Sequence, residues 1–363
     1  MGAQRRPKVL LLGEIEHAHE QWSALGELAE LIEPGAKNRE DFIEEALSGE
    51  FDGVVVTFRT FASIDITGRF DEELIGVLPA SLKFICHNGA GYDQVDIQPC
   101  TERGIRVSNV PAAVDDATAD VNMFLIIGAL RGFNISLFNL RLGHWRGIPP
   151  PRLGHDPEGK ILGILGMGGI GRNLKRKAEA FGMRIQYHNR RKLPDGLSGG
   201  AKYVSFDELL ATSDVISLNL PLNNPVLLPL LTSSGSQIHT DEHYSDLVHQ
   251  RQTRHIISTP EFEKMKDGVV IVNTARGAVI DEDALVKALD NGKVWSCGLD
   301  VYEEEPKIHP RLVANPHVML VPHMGTWTVE TQTAMEVCNI GNVRSALETG
   351  KLKTIVPEQA YMQ

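Results

Sequence analysis

Short apolar runs alternate with segments of helical spacing along nearly the whole chain. KVLLLG (8–13), GVVVT (53–57), KFICH (83–87), KILGILG (160–166), MRIQYH (183–188), DVISLNL (214–220), GVVIVNT (268–274), SCGLDVY (296–302) and HVMLVP (317–322) read as strands. They are apolar at nearly every position, as strands buried on both faces of a parallel sheet must be. Between them NREDFIEEALS (38–48), GRNLKRKAEAF (171–181), SFDELLA (205–211) and DEDALVKALDNG (281–292) carry helical spacing. The last has Asp281 placed as an N-cap and closes on Gly292. The rhythm falls into two blocks, roughly 8–110 and 160–322, joined by the proline- and glycine-rich connection HWRGIPPPRLGHDPEGK (144–160). The pattern predicts an α/β chain of two parallel-sheet domains. A helix at about 116–132, DATADVNMFLIIGALRG, is apolar almost all round and calls for burial in the core or against a second subunit. Beyond about 326 a long helical pattern runs to Gly350.

One stretch breaks the rhythm. NPVLLPLLTSSGSQIHTDEHYSDLVHQRQ, about 224–252, has no clean period and is far longer than a normal connection. His239 and His243 are four apart and His249 follows, but no cysteine or spaced carboxylate set accompanies them, so we expect no metal site.

Composition narrows the class. A chain of 363 residues with 42% hydrophobic and 23% charged residues is of ordinary globular type and long enough for two cores. A formal charge of −11 argues against nucleic acid or an anionic membrane as partner. Cys86, Cys100, Cys297 and Cys338 show no CxxC spacing and read as thiols rather than disulfides. No run approaches membrane-spanning length, and a cytoplasmic setting is the expectation.

Chemistry enters with Gly166-Met167-Gly168-Gly169-Ile170-Gly171, a GxGxxG placed after a strand and at the head of a helix. The glycines allow a tight turn and close approach of a pyrophosphate, and the helix N-terminus offers N–H groups and a positive dipole end. The next strand ends in Tyr187-His188-Asn189-Arg190-Arg191-Lys192, where NAD sites carry an acid. Two arginines there can grip a 2′-phosphate, which favours NADP(H) over NAD(H).

NTARGAVID (273–281), LDVYEEEP (299–306) and VPHMG (321–325), in that order, resemble the D-isomer specific 2-hydroxyacid dehydrogenase family. HNGAGYDQVD (87–96) is similar to its substrate loop, and VPHMGT with the ending TIVPE is most similar to the glyoxylate/hydroxypyruvate reductase branch. The resemblance implies two Rossmann-like or flavodoxin-like domains with a cleft between them. Residues 1–115 plus 327–363 would form the substrate (catalytic) domain and 116–326 the NAD(P)-binding domain. It implies NADPH-dependent reduction of a small 2-oxo acid in a homodimer built on the 116–132 helix.

By the same resemblance His323 supplies the proton, Glu305 fixes its tautomer, and Arg276 forks onto the substrate carboxylate. Backbone N–H groups of Ala90 and Gly91 hold the other carboxylate oxygen. Asp300 orients the nicotinamide amide, Thr274 and Ala275 line its ring, and Pro221, His323 and Gly325 complete the cofactor contacts. Glu303 and Glu304 would be solvated. Trp327 departs from the branch pattern, and pocket volume is expected to depend on the surroundings of Phe58, Arg59 and Trp327. Alternatives are a dinucleotide-sensing corepressor of the same fold, or phosphoglycerate dehydrogenase. Formate dehydrogenase is disfavoured because it pairs its histidine with glutamine. The insert at 224–252 reads as intron-derived, with the family pattern resuming at Thr253, which sequencing of the transcript would test.

Overall fold

The computed structural model describes residues 6–148, 150–222 and 253–363. The chain divides into two compact units, Met1–Asp115 with Thr326–Gln363, and Asp116–Gly325.

The first unit holds strands β1 (Lys8–Leu12), β2 (Glu30–Ile32), β3 (Val54–Thr60), β4 (Phe84–Asn88) and β5 (Arg106–Ser108). They form one parallel sheet in the order β2-β1-β3-β4-β5, the flavodoxin-like order. Its all-apolar strands feed two cores. From β1, Leu10 and Leu12 pack with Phe42, Phe70 and Leu74, while Val9 and Leu11 pack on the other face with Ile340 and Val343. Those last two lie on the helix Val329–Thr349, which starts at a capping Thr328 side chain and ends at Gly350 in the left-handed region.

The second unit holds β6 (Ile161–Leu165), β7 (Arg184–His188), β8 (Lys202–Tyr203), β9 (Val215–Leu218), β10 (Val269–Asn273), β11 (Val294–Leu299) and β12 (Met319–Leu320). All neighbours are parallel, in the order β12-β11-β10-β9-β6-β7-β8. Renumbered from β6 this is the Rossmann order 3-2-1-4-5-6 with one further strand, and its direction reverses between β6 and β9. Along β10, Val269 and Ile271 enter one core and Val270 and Val272 the other. The apolar run is therefore continuous because neither face of the strand meets water. Asp281 caps the helix Glu282–Asp290 by accepting from the Ala284 N–H at 3.0 Å.

The helix foreseen at about 116–132 spans Asp115–Arg131, and a second helix that the pattern did not reveal, Phe133–Arg141, follows it. Strands β2, β5 and β8 have only two or three residues each, too few for periodicity to register. All four cysteines are free, and burial pushes the Cys86 thiol up to about 12. The stretch 224–252, with His239, His243 and His249, lies outside the described residues. Its flanks meet: the Thr253 hydroxyl donates to the Pro221 carbonyl at 2.8 Å.

Candidate functional site

In the second unit, the carboxyl ends of β6 and β9 meet at the point where strand order reverses. Gly166 leaves β6 with φ at +96°, and a Cβ there would lie 2.7 Å from the Asn219 backbone, so only glycine fits. A Cβ on Gly171 would sit 2.6 Å from the Gly166 carbonyl, whereas one on Gly168 would meet nothing within 4 Å. The turn is thus closed on its protein side and open at Gly168. The helix Gly169–Ala180 begins there, and its first N–H groups have no intrahelical acceptor. These residues fit a dinucleotide pyrophosphate by shape and by dipole. Asn189 braces the turn, its Oδ1 accepting from the Met167 N–H at 2.6 Å while its carbonyl accepts from Tyr203 at 3.1 Å. Arg190 and Arg191 follow it, both exposed.

A buried polar cluster that sequence reasoning missed stands beside this turn. Asn122 is fully buried and donates to Asn219 Oδ1 at 3.0 Å and to Thr274 Oγ1 at 2.9 Å. Ser217 donates to Asn122 Oδ1 at 3.0 Å, and Asn219 donates to Ser217 at 2.9 Å. The network ties the ends of β9 and β10 to the helix Asp115–Arg131. Its one trace in the sequence was an asparagine inside the apolar run DATADVNMFLII. Thr274 is consequently buried, with its hydroxyl turned into this network, and the Ala275 N–H is held by Asn273 Oδ1 at 3.0 Å.

Arg276 lies just beyond β10 in extended conformation, half-buried, its Nη1 donating to the Ala275 carbonyl at 2.7 Å. Gly277 follows because nothing larger fits: a Cβ there would stand 1.8 Å from the Tyr302 carbonyl carbon. The loop after β10 is thereby pressed against the YEEEP loop after β11.

In that loop the Tyr302 N–H donates to Glu305 Oε1 at 2.9 Å, and Glu305 Oε2 pairs with His323 Nδ1 at 2.8 Å. The two side chains are 27% and 36% exposed, open enough to reach a ligand. Burial by itself would raise the Glu305 carboxyl. The hydrogen bond and charge of His323, the Tyr302 N–H and nearby Arg276 outweigh it and hold the group below the ordinary carboxylate range. His323 sits at φ +54°, a left-handed conformation held by its N–H on the Asp300 carbonyl at 2.8 Å. The Asp300 carboxylate accepts from the Met324 N–H and, at 2.9 Å, from the Gly325 N–H. Burial pushes Asp300 above the ordinary value, partly offset by those N–H groups and by His323. The buried Gly325 presents its carbonyl to Thr118 at 3.3 Å.

Arg276, Glu305, His323 and Asp300 therefore converge at the carboxyl ends of β10, β11 and β12. The reading of Glu303 as a solvated residue is corrected. Its carboxylate pairs with His255 Nε2 at 2.7 Å and with Arg254, because the chain returning at Thr253 runs beside this loop. Glu304 is exposed. No group of three or more His, Cys, Asp or Glu side chains suited to a metal occurs among the described residues.

In the first unit, the loop Gly89-Ala90-Gly91 follows β4. Its carbonyls are held from behind: Gly89 by the Val110 N–H at 2.9 Å, Ala90 by Asn109 Nδ2 at 2.7 Å and Gly91 by His87 Nε2 at 2.8 Å. The Ala90 and Gly91 N–H groups have no acceptor among the described residues. Phe58 and Arg59 are fully buried and offer no surface to a ligand, whereas Trp327 is 65% exposed.

Comparison with known proteins bears on this geometry. The family profile described as "D-isomer specific 2-hydroxyacid dehydrogenase, NAD binding domain" matches residues 123–226 and 245–325, with its break inside the anomalous stretch. The chain is 55% identical over 353 residues to 4-methyl-2-oxopentanoate reductase A of Aspergillus oryzae, covering 97% of this chain and 98% of that one. It is 44% identical to glyoxylate reductase 1 of Saccharomyces cerevisiae, with 98% and 95% coverage. The crystal structure of a glyoxylate reductase from Paecilomyes thermophila superposes with a TM-score of 0.88 at 53% identity, covering 98% of this chain and all of that one.

Proposed function

The chain belongs to the D-isomer specific 2-hydroxyacid dehydrogenase family, and from that premise we infer NADPH-dependent reduction of glyoxylate, hydroxypyruvate or a similar small 2-oxo acid to its 2-hydroxy acid. The observation that carries the reading is the Glu305–His323 pair at 2.8 Å with Arg276 close enough to bear on the Glu305 carboxyl. Bound to the Gly166–Gly171 turn, a reduced nicotinamide nucleotide supplies the hydride. With Nδ1 engaged by Glu305, His323 presents Nε2 and passes its proton to the carbonyl oxygen as that oxygen gains charge. Glu305 remains ionised and steadies the imidazolium before the transfer. Arg276 grips the substrate carboxylate with its planar fork and polarises the neighbouring carbonyl. The Ala90 and Gly91 N–H groups hold a carboxylate oxygen.

Residues 116–326 are proposed to carry the nucleotide, and 1–115 with 327–363 the acid. Pro221, Thr274, Ala275, Asp300 and Gly325 are assigned to the nicotinamide end, with Asp300 also fixing the His323 turn. Arg190 and Arg191 are assigned to a 2′-phosphate, with Asn189 bracing the loop beneath them. No single described helix is long and apolar enough to cross a membrane, and residence in the cytoplasm is proposed.

Initial rates with NADPH and NADH against acids from glyoxylate to phenylglyoxylate test the proposal. Absence of turnover with every acid would overturn it. Replacing Arg190 and Arg191 by serine is expected to raise KM for NADPH by roughly tenfold or more while leaving that for NADH little changed, as removal of two charge-assisted contacts implies. A wild-type preference for NADH would remove those arginines from their role.

A further inference from the structure

Beneath the Gly89–Gly91 loop lies an arginine that touches no solvent. Arg59, on β3, stands opposite His87 in the register of β3 with β4. Its Nη1 is 3.2 Å from His87 Nδ1, its Nη2 donates to Gln94 Oε1 at 2.7 Å, and its guanidinium lies 5.1 Å from the centre of the Phe70 ring. Its Nε has no hydrogen-bond partner among the described residues. Burial, only partly offset by Asp93, pushes Arg59 down to about 10, so it stays charged at neutral pH.

A guanidinium has only donors, so His87 Nδ1 must accept. The ring proton then resides on Nε2, which donates to the Gly91 carbonyl at 2.8 Å. His87 is thereby held neutral and in one tautomer. Gly91 is the last of the three loop carbonyls tied from behind. The Gly89 and Ala90 carbonyls share their peptides with the Ala90 and Gly91 N–H groups and are held by Val110 and Asn109, and the His87 bond pins the loop one peptide further on, where it leaves toward Tyr92.

We propose that Arg59 is a positioning residue for the acid substrate: through a neutral, Nε2-protonated His87 it fixes the Gly89–Gly91 loop so that the Ala90 and Gly91 N–H groups are set for a carboxylate. It also places a buried positive charge behind them. This deepens the proposed function and rests on the assignment of that loop to the acid. A large buried cation costs stability, and an arginine whose Nε goes unmatched has not been kept for packing alone.

The test uses the full chain labelled with 15N-histidine. The wild-type spectrum should show His87 with Nε2 protonated and Nδ1 bare at pH 7. In Arg59→Met, KM for glyoxylate should rise about tenfold, with kcat at saturation within about threefold and the NADPH dissociation constant unchanged, since the lost contacts act on the acid alone. Arg59→Lys, with one donor point in place of a fork, should recover part of the loss. If Arg59→Met does not fold, Gly89→Ala serves instead. Its Cβ would fall 2.6 Å from His87 Nε2 and push the ring off the Gly91 carbonyl while leaving Arg59 in place, so it should raise KM in the same way. A His87 protonated on Nδ1 or on both nitrogens, or an unchanged KM in both variants, overturns the inference. If no 2-oxo acid is turned over at all, the functional assignment fails, and the histidine spectrum still decides the brace.

Discussion

His323 adopts a left-handed backbone that an imidazole side chain does not favour, and three contacts on Asp300 explain how it is held there. Its own N–H meets the Asp300 carbonyl, and the next two N–H groups meet the Asp300 carboxylate. The turn presents the ring to Glu305. His323→Ala is expected to lower kcat by roughly 10²- to 10⁴-fold, the usual worth of a positioned general acid, with nucleotide affinity unchanged in a fluorescence titration. Glu305 yields a pH expectation with a definite sign. Its folded carboxyl is held below the ordinary value, so it contributes stability above that value and loses it as pH falls through the folded one. Wild type should therefore melt above Glu305→Gln at pH 6, and the two curves should converge toward and below pH ~4.3, the ordinary glutamate value. A constant gap across that range would remove the carboxylate's charge from the account. Motifs made each of these residues visible in the sequence. Glu303 was misread, because only the fold shows that Arg254 and His255, some fifty positions earlier, return beside it.

At the scale of elements, the contact between two loops decides the geometry. Gly277 presses the end of β10 onto Tyr302, with no room for a methyl group. Gly277→Ala must part the Arg276 loop from the Glu305 loop. Overpacking of this kind costs about 1–3 kcal/mol in urea unfolding. We expect it also to depress kcat, because Arg276 and Glu305 are displaced relative to each other. The long strands and the helix after Asp281 were legible because burial on both faces leaves an unbroken apolar run and because Asp281 carries capping chemistry. Strands β2, β5 and β8 were not, since each has two or three residues and, unlike the equally short β12 within HVMLVP, lies in no long apolar run. The Asn122 network was hidden for another reason: a lone asparagine in an apolar helix acquires meaning only when Ser217, Asn219 and Thr274 are brought to it.

On the scale of the whole molecule, an apolar surface lies exposed among the described residues. Phe133, Leu137, Phe138, Leu140, Leu142 and Trp145 are all between 38% and 72% exposed along the helix Phe133–Arg141 and the chain just after it. The homodimer was expected on the helix at 116–132, but that helix, Asp115–Arg131, buries most of its apolar positions in the chain's own core, and a second copy of the chain is proposed instead as the occupant of this exposed run. Phe138→Glu should shift the mass measured by light scattering from dimer to monomer; a wild type that is already monomeric would end that proposal. The anomalous stretch was visible in the sequence as a loss of period, and the family profile breaks within it, between 226 and 245. The Thr253–Pro221 bond shows that its flanks close on each other.

What the sequence determined alone was local and repetitive: which long apolar segments are strands, that two parallel sheets form, and which glycine turn and charged motifs they carry. Apolar periodicity and the spacing of a glycine motif are properties of neighbours in the chain, so they can be read without coordinates. Only the tertiary structure decided that Glu303 is an ion-pair partner, that Asn122 is a hub, and that Arg59 lies under a loop thirty positions away. Those are contacts across the fold. A buried charge or amide is defined by what surrounds it, and its surroundings come from distant parts of the chain.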